Sequence, residues 1–131
     1  MTGTTGGDVL RRAREQYLSQ AVMTASRERL VVMLYDGALK RLERAGRALE
    51  RGERRDAGEA LSSALAIVDE LRSTLDFDAG GDVAKELHAL YGFVVDRLSR
   101  ANVERDPERV REAVSVLARL KEGWDGIAAV D

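Results

Sequence analysis

The chain has 131 residues, one domain's worth, and a core of that size needs no covalent staple. It contains no cysteine, which excludes disulfides, thiolate metal sites, iron–sulfur clusters and thiol nucleophiles. Its 21 basic and 23 acidic residues nearly cancel, to a net charge of −2, so charge gives no reason to expect nucleic acid or an anionic membrane as the main partner. Proline occurs once, at Pro107, aromatics are 5%, and Leu, Ala, Arg and Glu are abundant, a composition that predicts an all-α protein.

Residues 1–7 are mostly Thr and Gly and are expected to be disordered. They lack the basic start and apolar stretch of a signal peptide, and no run reaches the length of a membrane span. The expected location is the cytoplasm. Asp8 is placed to cap a short helix reaching about Leu18, with Val9, Leu10, Ala13, Tyr17 and Leu18 on its apolar side. Such a short segment is marginal by itself in water, so it reads as an arm.

Ser26 is a good N-cap for a long helix over 27–51, and Gly52 ends it. Leu30, Leu34, Ala38, Leu42, Ala45 and Leu49 form its stripe. A helix over 55–75 follows, with Ala57, Leu61, Ala64, Val68, Leu71 and Leu75 alternating steps of four and three. Residues 76–81 read as a loop punctuated by Gly80 and Gly81. The next helix is expected over 82–103, with Val83, Leu87, Leu90, Tyr91, Val94, Leu98 and Ala101 inward. Asp106-Pro107 supplies a cap and a first-turn proline for the last helix. Val110, Ala113, Val114, Leu117, Leu120 and Trp124 form its stripe, with Gly123 and Gly126 fraying its end. Helices of this length joined by short connections pack antiparallel. The predicted architecture is an antiparallel up-down four-helix bundle with an additional short N-terminal helical arm, residues 8–131 forming one domain.

Several apolar residues fall outside these stripes: Val31, Val32, Met33, Tyr35, Ile67, Phe93, Val95 and Val116. A bundle helix has a wide apolar face, so some belong to the core. Together they suggest apolar surface beyond the core, which on soluble proteins marks partner sites. A groove between helices suits an amphipathic partner helix.

Catalytic readings fail residue by residue. His88, the one histidine, sits mid-helix before Gly92, as in histidine phosphotransfer bundles, which is the alternative reading. Tyr91 stands where those domains often carry lysine, and phosphohistidine gains from a nearby cation that Tyr91 cannot supply. One histidine cannot build a ferritin-like di-iron site. No G-x-S-x-G elbow and no phosphate-cradling loop occur. Arg11, Arg12 and Arg14 lack interleaved aromatics and read as a solvated face. No catalytic residue, metal site or cofactor is expected.

One stretch is unusual for an anonymous bundle. It runs Tyr17-Leu-Ser-Gln-Ala-Val22-Met-Thr24-Ala25-Ser26, then Met33-Leu34-Tyr35-Asp36-Gly37. This resembles the flagellin-specific export chaperones of the FliS family, which carry a tyrosine, a valine, Thr-Ala-Ser-Pro and then Met-Leu-Tyr-Asp-Gly. Residues 66–71, the run from Ala89-Leu90-Tyr91 to Asp106, and Trp124 continue the likeness in register. Two positions depart from it: Arg27 replaces the family's proline, and Arg14 stands where an apolar or aromatic residue is common.

The resemblance implies a non-enzymatic cytoplasmic chaperone. Such a protein binds the disordered C-terminal segment of flagellin, prevents premature polymerisation and assists delivery to the flagellar type III export gate. It implies no nucleic acid, no membrane insertion, and a monomer or weak homodimer when unbound. Ile67, Leu71, Tyr91 and Val95 are then candidates for groove walls on the helices over 55–75 and 82–103. Tyr35 and Asp36 follow the family motif, as do Tyr17 and Val22; the resemblance implies that the arm ending at Tyr17 covers the groove until flagellin displaces it, the alternative being that it packs permanently and closes the core. Gly37 either permits close helix approach or is an ordinary small residue. Asn102 either bonds partner backbone or ends its helix.

Overall fold

The computed structural model describes residue 9 and residues 27–130, the last four as backbone only. Residues 1–7, the arm up to Leu18 and the Ser26 cap thus lie outside the described residues, Val9 excepted. Among the described residues the fold is four helices: α1 (Arg27–Glu50), α2 (Arg54–Ser73), α3 (Phe77–Glu104) and α4 (Pro107–Val130). Each packs on the next, and α4 closes the ring against α1. None of these helices is long and apolar enough to cross a membrane.

The helix ends follow from local chemistry. At the end of α1, Gly52 takes φ +72, a conformation that costs glycine little. Its N–H donates to the Leu49 carbonyl at 3.2 Å, and the Glu53 N–H donates to the Ala48 carbonyl at 2.9 Å. This Schellman turn satisfies carbonyls that the helix itself leaves open. Before α4, the Asp106 carboxylate accepts from the Glu108 N–H at 3.0 Å, and Pro107 opens the helix as expected.

Two boundaries differ from expectation. Residues 76–81 are not an open loop. The Asp76 carboxylate accepts from the N–H groups of Asp78 and Ala79, both at 3.0 Å, and so caps a helical turn beginning at Phe77. Gly81, at φ +52 and ψ −125, then breaks that turn from the main body of α3. At the other end of the chain, Gly123 and Gly126 do not fray α4, which continues to Val130.

The core is built from alanines at one interface and two tyrosines at its centre. Ala38, Ala45 and Ala48 of α1 are buried, as are Ala57, Ala60 and Ala64 of α2. Short side chains on both helices let α1 and α2 approach closely. The buried line of α1 is Val31, Tyr35, Ala38, Leu42, Ala45 and Ala48. Compared with the expected stripe it is rotated, so Leu30, Leu34 and Leu49 become half-buried flanks. The rotation brings Tyr35 to the bundle axis. There its hydroxyl meets that of Tyr91 from α3 at 2.6 Å, both side chains essentially inaccessible. A buried tyrosine needs a partner for its hydroxyl, and each supplies the other's.

Burial raises both hydroxyls above the ordinary tyrosine range; for Tyr35 the bond to Tyr91 pushes further in the same direction. A folded-state value above the unfolded one means stability is intact below pH ~10 and is lost as pH rises beyond it. The chain is therefore expected to lose stability above that pH. Urea midpoints measured from pH 8 to 11 should fall less steeply for Tyr35→Phe/Tyr91→Phe than for the parent. Parallel curves for the two proteins would contradict this.

Candidate partner-binding groove

The residues expected to wall a groove do not form one wall. Leu71 and Tyr91 are buried in the core, and so is Tyr35. Leu71 occupies the centre of the α2 stripe, and the tyrosines are held inside by their mutual bond. In this form of the protein they cannot touch a partner. Ile67 is half-buried, but its Cδ1 lies 3.3 Å from where a Cβ on Gly37 would sit. It therefore faces α1 rather than α3. Val95 is half-buried and packed against the core.

The remaining candidates have other surroundings. At Gly37 the close-approach reading fits: both the Arg41 guanidinium and Ile67 crowd the space a side chain would take. Arg41 also donates to the Gly37 carbonyl at 3.0 Å. Asp36 is exposed and lies 3.4 Å from the Lys121 ammonium, which also bonds Asp125 at 2.7 Å. It ties α1 to α4. Asn102 is exposed and lines a polar cleft beside α2. Tyr17 and Val22 lie outside the described residues. His88 is half-buried, its ring 5.8 Å from that of Phe77, and its Nδ1 is buried without a partner.

Exposed apolar side chains line up instead along the flank of α3 that faces α4. Val83 is 63% exposed, and Leu90 and Phe93 are each 37% exposed. With the half-buried Leu87 they follow one another at steps of four, three and three, which keeps them on one helix face. Arg97 continues that face. Its guanidinium covers the Phe93 ring at 4.7 Å and reaches Glu112 of α4 at 3.9 Å. Glu112 also accepts from Arg109 at 2.6 Å. These ion pairs give the groove a polar end.

On α4 the line from Glu112 continues through Val116 and Leu120, both half-buried, to Gly123. Nothing lies within 4 Å of a Cβ built on Gly123. Counting antiparallel from the Arg97–Glu112 pair, this glycine falls beside Val83 and Leu87. The result is a shallow apolar channel about 15 Å long at 1.5 Å per residue from Val83 to Phe93. It holds no nucleophile, base or metal-ligand set, so what it offers is apolar contact.

Sequence reasoning singled out Phe93 and Val116 but placed Val83 and Leu90 in the core. Periodicity could not separate them, because Val83 shares its angular position with the buried Ala101. The signal that distinguishes them is Gly123 on the opposing helix.

Comparison with known proteins agrees with this chemistry. Residues 10–131 match the family described as flagellar protein FliS. The chain belongs to the FliS family. It is 39% identical to the flagellar secretion chaperone FliS of Salmonella typhimurium over 85% of this chain and 83% of that one. It is 35% identical to the flagellar secretion chaperone FliSB of Pseudomonas aeruginosa, over 89% and 96% respectively. A solved structure described as that of a flagellar chaperone from bacteria shares the fold, with a TM-score of 0.75 at 21% identity, covering 92% of this chain and 98% of that one. FliS relatives are chaperones of flagellar secretion, not enzymes. That accounts for a bundle with a groove and no catalytic constellation.

Proposed function

We propose that this FliS-family chain is a cytoplasmic chaperone that binds the disordered C-terminal segment of flagellin. By occupying that segment it prevents premature polymerisation, and it presents the cargo to the flagellar type III export gate. The observation that carries the reading is the apolar channel of Val83, Leu87, Leu90 and Phe93 beside Val116 and Leu120. Outside it, most charged groups of the bundle are engaged in ion pairs with one another.

The mechanism needs no nucleotide. An apolar channel between two helices accepts one amphipathic helix along its length. A disordered segment that folds there gains contact area and loses chain entropy, so its net affinity stays well below what the contact area alone would give. That balance permits release when the export machinery competes for the segment. The empty protein is a monomer or weak homodimer, since the channel is too short to bury a large self-interface.

Isothermal titration of the full chain with the C-terminal segment of flagellin from the same organism tests this, with circular dichroism alongside. The expected result is saturable one-to-one binding, a negative heat-capacity change and a gain of helix. A folded chain that gives no heat and no helix gain would sink the proposal.

A further inference from the structure

We propose that the cleft between the start of α2 and the end of α3 binds an acidic protein segment, on the flank of α3 opposite the apolar channel. All the helix ends at this pole of the bundle carry arginine, and most arginines of the fold elsewhere have a carboxylate. Arg47 pairs with Glu43, Arg100 with Asp96, Arg109 with Glu112 and Arg111 with Glu108 and Glu50. Arg54, Arg55 and Arg105 have none among the described residues. All three line one open cleft of about 700 Å³, together with Arg44, Glu59, Ser62, Ser63 and Asn102.

Neither Glu59 of this cleft nor the neighbouring Asp56 neutralises those three. Asp56 is bonded by Arg44, and Glu59 lies 3.8 Å from the same guanidinium. Glu53 stands on the outer rim beside Arg54. The groups on the cleft are thus four guanidiniums, those of Arg44, Arg54, Arg55 and Arg105, against the single carboxylate of Glu59, with two serine hydroxyls and one amide. They select an acceptor-rich anion, and guanidinium forks match carboxylates in pairs.

Arg105 adds an independent observation. It is the one non-glycine residue with positive φ among the described residues, at +58. It occupies the helix-end position where Gly52 closes α1, and its successor Asp106 donates to the Ala101 carbonyl at 3.3 Å in the same way. Glycine takes this conformation freely and arginine does not. An arginine kept in a strained turn, with its side chain in a cleft of unpaired arginines, points to a use for that side chain. Protein is favoured over nucleic acid on two grounds. No aromatic lines the cleft for base stacking. The rim acids would repel a continuous phosphate backbone but can interleave with spaced carboxylates.

The test is fluorescence anisotropy of the full chain with a short labelled peptide alternating Glu and Ala, at low salt. The comparators are inorganic phosphate and a single-stranded RNA of the same charge. The parent should bind the peptide saturably, and Arg54→Ala/Arg55→Ala should bind it at least about tenfold more weakly. Arg119→Ala, on α4 and outside the cleft, should bind as the parent does. Arg105→Gly separates a binding role from a structural one, because it should weaken peptide binding yet raise Tm by relieving the turn. Equal peptide binding by the parent and Arg54→Ala/Arg55→Ala overturns the proposal. So does a lower Tm with unchanged peptide binding in Arg105→Gly, or preference for the RNA or for phosphate over the peptide. Flagellin-segment binding in the same variants should be unchanged, so this proposal and the chaperone reading fail separately.

Discussion

Changing Leu90 and Phe93 together to alanine should weaken binding of the flagellin segment about 100-fold, or ~2.8 kcal/mol. Both side chains stand at the mouth of the α3–α4 channel, and each is already 37% exposed. Their removal therefore costs the free protein only part of a buried side chain, and alanine's high helix propensity offsets some of that. Stability should fall by no more than about 1–2 kcal/mol. The loss on binding is larger because the partner's apolar face is left facing a shallow, wet depression. Titration calorimetry on the folded double variant gives the answer. Unchanged affinity would remove the channel from the binding account. A matched pair on another face, Met33→Ala/Val103→Ala, should bind as the parent does: both residues are exposed but lie away from the channel.

The largest stability effect is expected at the centre of the core. Tyr35→Phe leaves the Tyr91 hydroxyl buried without its partner, at a cost of about 2 kcal/mol. Tyr91→Phe leaves the Tyr35 hydroxyl in the same position and should cost a similar amount. The double variant removes both hydroxyls and should be more stable than the sum of the single changes predicts. The coupling should be about 1 kcal/mol. Urea unfolding of the four proteins measures it, and strictly additive costs would mean that the two hydroxyls do not depend on each other. The same bond explains the tyrosine in the Met33-Leu34-Tyr35-Asp36-Gly37 run. Tyr35 serves there as a core strut across the bundle diagonal, Gly37 admits Ile67, and Asp36 reaches Lys121. In this structure the motif that carries the family likeness is engaged within the fold.

Much of the architecture was legible because the α2 and α4 stripes have a single apolar face. Ala57, Leu61, Ala64, Val68 and Leu71 were predicted inward and are buried, as are Val110, Ala113 and Leu117. α1 was harder, because Val31, Leu34 and Tyr35 all lie on a broad apolar arc. Periodicity alone does not say which line faces the axis. That was decided by Tyr91, 56 residues away, which no local pattern reports. The site was less legible for the same reason. Ile67 looks like a surplus apolar residue on its helix, but its exposure depends on what the next helix places opposite. For Ile67 that is Gly37, which draws it inward. Val83, at the level of Gly123 by antiparallel count, stays exposed. The cationic cleft went unseen because Arg105 is far in sequence from Arg54 and Arg55 and meets them only at the pole of the bundle.

Methyl-detected NMR titration of the full chain tests residue by residue whether the α3–α4 channel receives the flagellin segment. The account predicts that the methyls of Val83, Leu87, Leu90, Val116 and Leu120 shift together and saturate at one equivalent of segment. Ile67, Val68 and Leu71 should hold still. Shifts centred on Ile67 and the α1–α2 face, with Leu90 and Val116 unmoved, would contradict it.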